Sequence, residues 1–110
     1  MTSLEHVANV CRTYGFPYSP DKYDGDNPHF FVYCITDMVP QLAADNKNQC
    51  YVATIRLDYV QPLKEPYVGI MEDIKNKLLQ EGFTSPEIHI SATEKFRVLR
   101  YEADIIEEDF

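Results

Sequence analysis

The stretch AADNKNQCYVATIRLDYV, residues 43–60, changes character in its middle. Its first half is small, polar and turn-forming. Its second half alternates: Tyr51, Ala53, Ile55, Leu57 and Tyr59 on one side, Val52, Thr54, Arg56 and Asp58 on the other. Side chains of a strand point to opposite faces with a period of two, so CYVATIRLDYV (50–60) reads as a strand with one buried face. A 12-residue connection, 37–48, would separate it from the strand before it. That is long for a hairpin and calls for a functional cause such as a contact arm.

Working outward, HFFVYCIT (29–36) is apolar on both alternating faces and rich in aromatic and β-branched residues. It reads as a strand covered on both sides. The segment before it, 16–30, holds three prolines and a glycine and reads as a loop. Asp21, Asp24 and Asp26 there fail the EF-hand spacing, because Val32 stands where the bidentate Glu belongs, so they read as turn formers. Residues 2–14 place Leu4, Val7, Cys11 and Tyr14 on one helical face. Thr2 and Glu5 form a capping box, and Gly15 ends the helix.

Downstream, 65–82 reads as a second helix, with Glu65 and Pro66 in its first turn and Gly82 at its end. Tyr67, Met71, Ile74 and Leu78 would face the core, and Asp73 would pair with Lys77. Two strands close the chain, joined by a tight turn at Glu94 and Lys95. The first turns Ile88, Ile90 and Ala92 inward, and the second Leu99, Tyr101, Ala103 and Ile105. The order α-β-β-α-β-β predicts an α+β two-layer sandwich in one domain, 1–110: a four-stranded, largely antiparallel sheet covered by two helices.

Bulk properties exclude several function classes. A chain of 110 residues with 45% hydrophobic content supports one packed core. No apolar run reaches the roughly 18 residues of a membrane span, and the N-terminus lacks the basic-then-apolar pattern of a signal peptide; a cytosol-like compartment is expected. Cys11, Cys34 and Cys50 have no C-x-x-C spacing and read as free thiols. The net charge of −8 argues against binding phosphates. Five carboxylates in 101–110 predict a solvated acidic tail over 106–110.

No hydrolase, metalloprotease, phosphate-loop or dinucleotide fingerprint is present. His6, His29 and His89 fall in three different elements, with His89 pointing away from Ile88 and Ile90. The expectation is a non-enzyme that needs no cofactor or metal. Eight tyrosines and no tryptophan fit either a small core or protein-contact surfaces.

The ordered set of motifs resembles the tail-completion or tail-terminator proteins of siphophages. It comprises YSPDKYDGDNPHFFVY at 18–33, AADNK at 43–47, YVATIRLDYV at 51–60, Lys64, LLQEGF at 78–83 and EKFRVLRYEADI at 94–105. The Met-Val-Pro of 38–40 departs from the plan. The resemblance implies a virion subunit, assembled in the host cytoplasm, that forms a homo-oligomeric ring, usually a hexamer. Such a ring ends polymerisation of the tail-tube protein and meets a head-side connector or stopper protein. DNA would pass through its lumen without specific binding, in keeping with the acidic charge. A connector or stopper of the neck, or a non-viral cytosolic adaptor subunit, are the alternatives. The interface residues expected are Asp45, Asn46 and Lys47 at the loop tip. Arg56 and Arg100 join them, as polar residues on apolar strands that could pair with an adjacent subunit or within the chain.

Overall fold

In a computed structural model, described over residues 2–41 and 50–108, the elements run α1 (Ser3–Arg12), β1 (Tyr18–Pro20), β2 (Phe30–Gln41), β3 (Cys50–Pro62), α2 (Val68–Glu81), β4 (Glu87–Ala92) and β5 (Phe96–Glu108). The strands form one sheet in the order β1-β2-β3-β5-β4. The fold class is α+β as expected, but the sheet has five strands rather than four. The added strand, β1, pairs parallel with β2 over Tyr18↔Phe31 to Pro20↔Tyr33; every other pairing is antiparallel. Three residues bounded by prolines carry no alternation that could betray a strand, so this segment reads as loop.

Helix α1 starts as its sequence dictates. Thr2 Oγ1 accepts from Glu5 N at 3.2 Å, and Thr2 N donates back to Glu5 Oε1 at 3.3 Å, satisfying two orphan groups of the first turn. Helix α2 begins at Val68, three residues later than its sequence suggests. The preceding turn is held instead by Gln61, a buried side chain whose Nε2 donates to the carbonyls of Glu65 (2.9 Å) and Pro66 (3.3 Å). Gly82 closes α2 at φ 106°, a left-handed cap that glycine adopts without steric cost.

One face of the sheet carries the core. Phe31, Tyr33, Ala53, Ile55, Leu57, Tyr59, Leu99, Tyr101, Ala103 and Ile105 meet Val7, Val10, Cys11, Ile74, Leu78 and Phe83. At the Phe31 end the packing is aromatic: Phe31 lies 5.0 Å from Tyr59 and 5.6 Å from Tyr14, and Phe16 lies 6.1 Å from Tyr59 (ring centroids). Such contacts add to the area they bury. The helices are joined across the top. Tyr14 donates to Asp73 at 2.5 Å, Lys77 sits over the Tyr14 ring at 3.9 Å, and His6 meets Glu81 at 2.8 Å. Tyr101 donates its hydroxyl to the Met71 carbonyl at 2.9 Å, fixing α2 to β5. Of the tyrosines, Tyr33, Tyr59 and Tyr101 are core residues.

Four further expectations are corrected. Strand β2 is not covered on both sides: Phe31 and Tyr33 are buried, whereas Val32 and Cys34 are only half-buried, with Tyr23 stacked on Phe30 at 4.5 Å. β2 also continues through 37–41 instead of entering a loop at 37, because a register shift between Ile35 and Asp37 inserts one residue. Odd-numbered residues face the helices before the shift and even-numbered ones after it, which breaks the alternation a sequence reading relies on. The acidic end does not fray at 106, since β5 pairs with β3 up to Glu108↔Cys50. In β4, Ile88 packs on the core, but Ile90 is 46% exposed and Ala92 is exposed, since this strand is the outer edge of the sheet.

Candidate functional site

Among the described residues the opposite face of the sheet carries no helix, and its cross-strand rows sort by chemistry. The register aligns Phe30, Val60, Val98 and Ser91 in one row, then Val32, Asp58, Arg100 and His89, then Cys34, Arg56, Glu102 and Glu87. Past Thr54 and Asp104 comes an apolar row of Val39, Val52 and Ile106. A charged belt therefore separates two apolar bands.

Within the belt, Asp58 is the hub. Arg100 donates to it twice, from Nε at 2.9 Å and Nη2 at 3.3 Å, and Arg56 Nε stands 3.9 Å away. This two-pronged geometry is the strong form of a carboxylate–guanidinium pair. The hydrogen bond that Arg100 donates to Asp58 raises the Arg100 pKa above its ordinary value. Arg56 and Arg100, both expected at an interface, thus share one carboxylate of their own chain on an open face. Asp45, Asn46 and Lys47 lie outside the described residues.

Beyond the row of Met38, Ala53 and Ile105, three strands continue as an arm: 39–41, 50–52 and 106–108. The molecule measures 53 Å by 25 Å by 22 Å. Val39 and Ile106 on the arm are 51% and 55% exposed. Both edges of the arm are open among the described residues: β1 pairs β2 only at 31–33, and β4 pairs β5 only at 97–102. Past β4, Thr84 covers one further position, with its N bonded to Asp104 O at 2.9 Å and its Oγ1 accepting from Asp104 N at 3.0 Å. Pro40 falls on such an edge, where a missing N–H is tolerated.

Next to the belt, Thr54, Thr84, Ser85, Glu87, Glu102 and Asp104 line an open cleft of about 270 Å³. Thr54 donates to Asp104 there at 2.6 Å. The other histidines are engaged elsewhere: His29 bonds Glu65 at 2.7 Å under the Phe16 ring, and His6 bonds Glu81. His29 is thus directed to Glu65, away from Cys34 on the helix-free face. Cys11 is buried, and burial pushes its thiol up to about 12, so it is no nucleophile at neutral pH.

The grouping of Glu87, His89 and Glu102 escaped the sequence reading, because their register across β4 and β5 could not be fixed from spacing alone. No described helix is long and apolar enough to cross a membrane. No protein-family profile matches the chain, and no curated protein is significantly similar to it.

Proposed function

We propose that the chain is a structural virion subunit that assembles into a ring at the head-proximal end of a siphophage tail tube, where it ends tube polymerisation and joins tail to head. The observation that carries this reading is the three-stranded arm, with edges unpaired among the described residues and with exposed Val39 and Ile106, continuing the five-stranded sheet. An open edge offers a row of unpaired backbone groups that another chain can extend as an added strand. Soluble monomers normally blunt such edges; Pro40 does so on the β2 side by removing a donor, so the β5 side at 106–108 is the edge that fits a subunit whose neighbour covers it. The arm also leads into the 42–49 connection, which contains the AADNK motif of the resemblance. The assembly is a homo-oligomeric ring, with the tail-tube protein on one side and a head-side connector or stopper on the other. No catalytic role is assigned.

The test is negative-stain imaging of the full chain alone and mixed with the tail-tube protein of the same phage. Closed rings, or tubes ending in a distinct cap, are the expected result. Isolated monomers that leave tube growth unchanged would overturn the proposal.

A further inference from the structure

We propose that Glu87, His89 and Glu102 form a binding site for a divalent transition cation of the zinc type on the helix-free face of the sheet. The site is independent of ring assembly. Glu87 and His89 are two residues apart on β4 and so share a face, and Glu102 stands directly opposite Glu87 on β5. One ligand atom from each of the three lies within 4.8 Å of the others.

The distances suit a small ion. A tetrahedral zinc site with bonds of about 2.1 Å sets its ligand atoms roughly 3.4 Å apart. His89 Nε2 and Glu87 Oε2 are already 3.6 Å apart. Glu87 and His89 are exposed at the edge of the sheet, where small side-chain turns would close the remaining gaps. The donor set chooses the metal class. An imidazole nitrogen with two carboxylates favours zinc and its neighbours over calcium or magnesium, which take oxygen ligands.

Electrostatics points the same way. Two carboxylates directly opposite each other on a sheet repel. The nearest guanidinium groups, Arg56 and Arg100, are both directed to Asp58, and Arg100 relieves the pair only through the longer-range attraction between its charge and Glu102. Among the described residues the half-buried Glu102 carboxylate accepts no hydrogen bond and joins no ion pair within 4.0 Å. A divalent ion would supply the missing positive charge. Three protein ligands leave a fourth position for water, and the adjoining cleft presents Asp104 and Thr54 to hydrogen-bond that water.

Isothermal titration of the chelator-treated full chain with zinc chloride tests the site. One ion per chain at micromolar Kd is expected, weakened at least tenfold by His89→Ala and, separately, by Glu102→Gln. Cys34→Ser should leave the affinity unchanged, which distinguishes the site from thiol ligation. Circular dichroism of each variant verifies the fold. Absence of binding up to millimolar zinc, or binding that both variants leave intact, would overturn the assignment.

Discussion

Tyr101 illustrates how a single polar atom is used in this core. Its ring is fully buried and its hydroxyl reaches the Met71 carbonyl at 2.9 Å. Tyr101→Phe keeps the ring and removes the donor, leaving that carbonyl without this bond. The expected loss is about 1 kcal/mol, read as a lower denaturant midpoint with an unchanged slope. Burial also sets the response to alkali. The Cys11 thiol is pushed by burial from its ordinary 9.0 up to about 12. Burial, aided by nearby Glu65, raises the Tyr59 phenol from 10.0 to about 12. Both groups ionise to anions, so the unfolded chain loses their protons earlier than the folded one. Stability is therefore full below pH 9 and declines as pH rises towards 12, by roughly 1.4 kcal/mol per pH unit from Cys11 above pH 9 and by as much again from Tyr59 above pH 10. Thermal melts from pH 7 to 11 should show this decline, and Cys11→Ala should delay its onset by about one pH unit. Alternation in the sequence already placed Tyr59 and Tyr101 inside. The bonding of Tyr101 was not legible there, because it depends on where α2 crosses β5.

At the level of elements, local signals determined the start of α1 and the termination of α2, whereas α1 ends at Arg12 with its C-cap at Thr13, two residues short of the span its sequence suggests. The capping box at Thr2 and Glu5 forms as read, and Thr2→Ala should cost about 1 kcal/mol, measurable by chemical denaturation. Strand β3 and the inward face of β5 were equally legible, since one face is buried along much of their length and the period of two survives. Elements were misread where that period fails. The register shift after Ile35 flips the pattern and hides the second half of β2. β1 is too short to show a pattern. Exposed Ile90 on β4 looked inward because alternation reports which face a residue is on, without reporting whether a helix covers that part of the face. The charged belt combines legible residues with an illegible arrangement. Arg56 and Arg100 stood out as polar residues on apolar strands, but their shared hub at Asp58, and the approach of Glu87 and His89 to Glu102, depend on a three-strand register that only the folded sheet fixes.

The whole molecule is a sheet with helices on one face and an arm that projects beyond them. The buried face closes a core from both helices, while among the described residues no helix covers the opposite face, which is banded apolar, charged and apolar. The charge of −8 per chain repels DNA phosphates, which is compatible with the proposed ring letting DNA pass without sticking. If a neighbouring chain covers the arm, a charge at Ile106 should disrupt assembly while sparing the core, since this side chain is 55% exposed. The most direct measurement is the length distribution of tail tubes polymerised with the wild-type chain and with Ile106→Lys. The account predicts tubes of limited length, each ending in a ring, with the wild-type chain, and continued growth with the variant. Tubes whose lengths are indifferent to the wild-type chain would contradict it.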